Sequence, residues 1–140
     1  MNISQNGYKH LNHIWWMLKL TYGLLFVVAG ADKFMFLITH WDKYVSPLIK
    51  SFLVFPVSTF ILIIGIIEVI IGLITLSPNG TRLGAYLTAI WFGLIVVNLL
   101  SFKGLFLDVA VRDIVIAIGA IALACLTKVR DDVKSSNAYL

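Results

Sequence analysis

The sequence predicts an all-α fold, an integral membrane four-helix bundle with antiparallel up-down topology, and three observations carry that expectation. Hydrophobic residues make up 60% of the 140-residue chain and charged residues only 13%, and the mean hydropathy is +0.95; a soluble domain of this size could not hide so much apolar surface. The apolar residues gather into four runs, each close to the roughly 20 residues that cross about 30 Å of hydrocarbon at 1.5 Å per residue. Between the runs stand helix-ending and turn-forming residues. Strands are disfavoured, because the runs exceed the length of sheet segments and lack sustained alternation.

The first span is expected over 14–38. Its segment Leu20 to Val28, followed by Ala29-Gly30-Ala31, resembles a short signal-peptide core with a cleavage site. A retained helix is the better reading, because Lys19 would interrupt such a core and the apolar run continues through Phe34 to Ile38. The connection 39–54 is the one with room for structure of its own. It mixes Trp41 and Tyr44 with Asp42, Lys43, Pro47 and Lys50, the composition of an interfacial segment, and with Trp15 and Trp16 its aromatics read as belts at the two water interfaces. The second span, 55–76, opens on Pro56, which is tolerated in a first helical turn. Ser77-Pro78-Asn79-Gly80 is a tight turn into the third span, 82–101. The fourth span is expected over 108–127, leaving 128–140 as a polar, frayed cytoplasmic tail.

The net charge of +4 comes from singly scattered Lys and Arg, not from a basic stripe, which argues against nucleic acid as a partner. Membrane topology accounts for it better. Lys9, Arg82, Lys128, Arg130 and Lys134 fall on the side of the termini, against Lys43, Lys50 and Lys103 on the other. This bias places both termini in the cytoplasm. The single cysteine, Cys125, can form neither an internal disulfide nor a CxxC pair, and reads as a small packing residue.

Charges at membrane depth cost about 2.5–3.5 kcal/mol on insertion scales, so those that persist face protein or trapped water and have partners. Lys19, Gly23, Phe26, Gly30 and Lys33 recur at steps of four and three and share one face of the first helix, as Gly65, Glu68 and Gly72 do on the second. Glycine notches of this kind admit close helix approach. Glu68 lies near mid-bilayer and must be protonated or meet a donor. Depth counted by helical rise places Lys19 about half a turn to one turn away and Lys33 about two turns away, which makes Lys19 the expected partner. Two readings stand side by side: a pair that fixes helix register, and a functional site.

A second polar layer is expected where Asp32, Lys33, Asn98, Asp108, Arg112 and Asp113 reach similar depth. Asp108 and Arg112 are spaced to pair on one helix, leaving Asp113 to meet Lys33. The layer either closes the bundle as a structural network or caps an intramembrane cavity, in which Lys33 and Arg112 would bind an anion or the carbonyl of a quinone-like ligand. Gly84, Thr88, Trp91 and Asn98 lie near one face of the third helix, with Trp91 as an apolar wall of that cavity. The candidate polar site is thus Lys19, Lys33, Glu68 and Arg112, supported by Asp32, Trp91, Asn98, Asp108 and Asp113. His10, His13 and His40 lie at or outside span ends, where they cannot hold haem. No metal-ligand spacing, nucleotide-binding loop or nucleophile elbow occurs in the sequence. A self-contained redox catalyst is disfavoured, though service to another subunit is not.

The run Gly23-Leu24-Leu25-Phe26-Val27-Val28-Ala29-Gly30-Ala31-Asp32-Lys33-Phe34 resembles the first helix of DoxX-like membrane proteins. The similarity continues through Glu68 before Ile71-Gly72-Leu73, the Arg82-Leu83-Gly84 start of the third helix, and the polar start of the fourth at 108–113. The resemblance implies a small four-helix inner-membrane protein linked to quinone-dependent or redox-stress systems, since the related DoxD proteins are associated with thiosulfate:quinone oxidoreductase. It carries Lys33, Glu68 and Arg112 over as site residues and admits a quinone as ligand. The chain lacks the cysteine pair of thiol-redox relatives, which argues against a thiol-disulfide mechanism. The leading expectation is a subunit or accessory of such a system, acting as a homo-oligomer or with another membrane subunit. The alternative is a structural or assembly protein whose glycine faces dock a partner. A small-solute transporter has less support, because no broken-helix pair is apparent.

Overall fold

The computed structural model describes residues 5–138, and all of their regular secondary structure is helical. Helix α1 spans Gln5–Met35, a 3-10 turn spans Trp41–Tyr44, and α2 is the short Pro47–Phe52; then follow α3 (Val57–Leu76), α4 (Thr81–Leu100) and α5 (Leu107–Ala138). The helices α1, α3, α4 and α5 are each long and apolar enough to cross a membrane.

Local sequence explains most of the boundaries. Met35 ends α1 because Phe36 turns into the left-handed region (φ 52°). The Asp32 carboxylate then takes up the backbone N–H groups of Leu37 (2.9 Å) and Ile38 (2.8 Å). Ser46 caps α2, its hydroxyl accepting from Ile49 N, with Pro47 in the first turn. Ser77 closes the α3–α4 turn by donating to the Ile74 carbonyl and accepting from Gly80 N. The fourth spanning helix, α5, is longer than the apolar run implies. It continues to Ala138, so most of the segment expected to fray is helix, with Val133 buried.

Packing in lipid relies on close van der Waals fit, because the surroundings are as apolar as the side chains. The glycine faces supply that fit between α1 and α3. A Cβ on Gly30 would lie 2.7 Å from the Gly65 carbonyl oxygen, and one on Gly72 would lie 2.8 Å from that of Gly23. These pairs also fix the antiparallel register. Similarly, Gly84 lets the start of α4 lie against Thr75 of α3, while α5 packs along α4 through Ala85, Ala120, Leu123 and Ala124. The bundle is therefore two tight pairs, α1 with α3 and α4 with α5.

At the Ser77 end the two pairs meet. Trp15 donates to Thr127 Oγ1 (2.9 Å) and Tyr22 donates to the Ile116 carbonyl (3.0 Å), both from α1 to α5. Trp15 is accordingly core rather than interfacial belt, whereas Trp16 beside it is exposed. The outward faces carry exposed Leu, Ile and Val, among them Leu24, Ile90, Val97 and Val115, as a lipid-facing surface must. Cys125 also lies exposed, not packed as expected. It follows the buried Ala124 by one residue, a rotation of about 100° that turns it out of the core.

Candidate functional site

Residues of all four spanning helices line a cavity of about 1080 Å³, among them Phe26 and Phe92, whose rings meet edge to face at 5.6 Å. Its walls are mostly apolar, including Phe60, Ile64, Ile95 and Ile116, and its polar lining includes Lys33, Trp41, Tyr44, Glu68, Trp91, Asn98, Arg112 and Asp113. Exposed residues on both flanks line it as well, Val28 on α1 and Ile63 and Leu94 on α3 and α4. The cavity thus opens sideways, towards the space lipid tails would occupy.

Lys33 and Glu68 form the buried centre of the polar lining, with side chains only 5% and 6% exposed and Nζ to Oε2 at 2.5 Å. The expected Lys19 partnership does not form. The close glycine contacts place Glu68 level with about Val27, so Lys33 lies about six residues up α1 and Lys19 about eight down. Side-chain direction then decides between them. Helical side chains lean towards their own N-terminus, so Lys33 leans back down α1 towards Glu68 while Lys19 leans away from it. Lys33 Nζ accordingly also approaches the Ala29 carbonyl (3.4 Å). Lys19 is buried instead between Trp15 and Trp16, its Nζ 4.7 Å and 5.0 Å from their ring centroids, and donates to the Ser77 carbonyl (2.9 Å). There it meets the negative end of α3.

Two tryptophans complete the pair. Trp91 Nε1 donates to the second Glu68 oxygen, Oε1, at 3.0 Å; the residue expected as an apolar wall is also a hydrogen-bond donor. Trp41 places its ring 3.6 Å from Lys33 Nζ and donates its indole N–H to Asp32 Oδ2 (2.8 Å). Its sequence reading as a membrane-interface anchor missed this inward contact. Nothing in spacing alone signals it, because the contact depends on where the loop folds. The result is a continuous chain from Asp32 through Trp41, Lys33 and Glu68 to Trp91, drawn from α1, the 3-10 turn, α3 and α4.

The rest of the outer layer divides in three. Arg112 pairs with its neighbour Asp113, through Nη2 (3.0 Å) and Nε (3.1 Å) to Oδ1, and its side chain is 65% exposed against 3% for Asp113. The expected pairs of Arg112 with Asp108 and of Asp113 with Lys33 are therefore replaced, and Asp108 is exposed at the start of α5, where its charge favours the helix N-terminus. Asn98 holds the loop, its Oδ1 accepting from Ser46 N (3.1 Å) and its Nδ2 donating to the Tyr44 carbonyl (2.6 Å). With Val45 and Ser46 buried, segment 41–46 forms a cover pinned over the cavity. Among the described residues no His, Cys, Asp and Glu cluster could hold a metal ion.

Asn98→Ala should release that cover, since it leaves one buried backbone N–H and one carbonyl without their partner. Limited trypsin digestion in detergent is expected to cut after Lys43 several-fold faster in the variant than in the wild type. Equal rates would mean that packing of Tyr44 and Val45 alone holds the loop.

Comparisons with protein-family models, with curated proteins and with solved structures gave no match.

Proposed function

We propose that this chain is an inner-membrane protein with cytoplasmic termini that serves as a subunit or accessory of a quinone-linked or redox-stress membrane system, by binding a quinone-like molecule. The observation that carries the reading is the apolar, laterally open cavity ending on a buried Lys33–Glu68 pair. Its volume is at the upper end of ordinary ligand sites. A lipid-soluble ligand could enter from the membrane without crossing water, and apolar walls suit a ring and tail. Such a ligand also brings carbonyl acceptors. Lys33 is already engaged with Glu68, the Ala29 carbonyl and the Trp41 ring, so Arg112 is the better donor. Its guanidinium gives Nε and Nη2 to Asp113 and keeps further N–H groups. When bound, a quinone supplies the electron-accepting chemistry, and the residues of this chain bind and orient it. The resemblance to DoxX-like proteins points to the same redox setting. The docking alternative loses part of its basis, because the glycine faces it needs are occupied by one another within the chain.

Ala29 lines the cavity without lending its side chain to any hydrogen bond. Ala29→Phe should fill the cavity and abolish the thermal stabilisation that decylubiquinone or a short-tailed menaquinone gives the wild type, while the ligand-free melting temperature stays nearly unchanged. Wild-type protein indifferent to both quinones, or a variant stabilised equally, would remove the proposal.

A further inference from the structure

A second, smaller pocket of about 230 Å³ lies at the opposite end of the bundle, beside the α3–α4 turn and the last turns of α5. It is bounded by Trp15 of α1, by Pro78 and Asn79 of the tight turn, by Thr81 and Arg82 of α4, and by Thr127, Arg130, Asp131 and Lys134 of α5. Three cations and one carboxylate share it. Arg130 is held in place: Nε donates to Asn12 Oδ1 (2.8 Å), the guanidinium lies 3.9 Å from the Trp15 ring centroid, and its side chain is 17% exposed. Its contact with Asp131 is long, at 3.4 Å, and the Asp131 side chain is mostly exposed, so little of the cationic charge is neutralised there. Among the described residues Arg82 and Lys134 form no ion pair.

The backbone adds to this charge. Gly80, the N-cap residue of α4, brings no side chain of its own to this helix end, so the positive end of the helix dipole lies beside the Thr81 and Arg82 that line the pocket. A preset arginine, two exposed cations and a helix N-terminus around one small concavity match a tetrahedral oxyanion, which arginine meets bidentately. The adjoining surface is apolar. Leu83, Tyr86 and Ile90 are exposed along one face of α4 leading away from the pocket.

We propose that this pocket binds a phosphate-bearing anion, and that the apolar face of α4 suits it to the headgroup of an anionic phospholipid. Basic pockets between spanning helices recognise such headgroups, and here the acyl chains would lie along Leu83, Tyr86 and Ile90 with the phosphate among Arg82, Arg130 and Lys134. The site is separate from the large cavity and does not depend on its ligand.

The test uses the full chain purified in detergent, with native mass spectrometry of lipid retention as the readout. Wild-type protein titrated with phosphatidylglycerol is expected to retain one lipid molecule far more strongly than with phosphatidylcholine. Arg82→Gln with Lys134→Gln should weaken that retention about thirtyfold, the loss expected for removing two cations near a membrane surface. Both side chains are exposed, so folding should survive, and helicity by circular dichroism checks this. Lys43→Gln with Lys50→Gln removes the same charge from the opposite end and should leave retention intact. A parallel arm adds inorganic phosphate: competition with the lipid at millimolar concentration would identify a soluble phosphate as an equal source, and absence of competition a lipid. Equal retention of the two lipids by the wild type, or equal loss in both double variants, would overturn the proposal.

Discussion

Lys33→Met is expected to destabilise the bundle by about 3–5 kcal/mol, the cost of leaving one member of a buried ion pair without the other. Glu68 would keep Trp91 as its donor, but a carboxylate only slightly exposed would lose its neutralising charge. Glu68→Gln should cost a similar amount, because the buried Lys33 ammonium would then lose the carboxylate it pairs with and keep neutral contacts such as the Ala29 carbonyl and the Trp41 ring. The double variant separates this explanation from a general packing defect. With both changes neither position carries an unpaired buried charge and the introduced amide oxygen can still accept from Trp91, so the loss should be smaller than the sum of the two single losses. Reversible unfolding in mixed detergent micelles, analysed as a double-mutant cycle, measures the coupling. Strict additivity would show that Lys33 and Glu68 do not stabilise each other.

The second large effect is steric. Gly65→Ala would put a Cβ 2.8 Å from the Gly30 carbonyl oxygen, and Gly30→Ala would put one 2.7 Å from that of Gly65. In both cases the obstacle is backbone, so α1 and α3 must move apart. Overpacking of this kind costs about 1–3 kcal/mol, and separation of these helices would also stretch the Lys33–Glu68 contact. Gly93→Ala is the matched control. Nothing lies within 4 Å of a Cβ there, and alanine is the better helix former by about 0.5–1 kcal/mol, so that variant should be neutral or slightly more stable. If all three variants behave alike in the same unfolding assay, glycine packing between α1 and α3 is not what holds the pair.

The fold class was legible in the chain alone, because apolar run length against bilayer thickness is a one-dimensional quantity. Four runs near the spanning length, separated by a proline, a tight turn and a polar loop, leave little choice but four helices, and all four are present. Periodicity also identified the faces that meet: the glycines spaced along α1 and α3 do pack against each other, and Glu68 does find a lysine. Which lysine was beyond a depth count. Lys19 and Lys33 lie at comparable distances along α1 once the glycine contacts set the register, and the lean of helical side chains towards the N-terminus selects Lys33.

The remaining features belong to tertiary structure, because they join groups distant in sequence through a loop or across the bundle. Trp41 turns inward onto Lys33 because Asp32 and Asn98 fix the loop at both ends. Arg112 takes Asp113 because Asp113 is buried beside it while Asp108 remains exposed. The cavity is decided at the same level. Each helix pair is tight, and the space lined jointly by the four spanning helices and by Trp41, Tyr44 and Val45 of the covering segment is one that no local pattern of residues encodes.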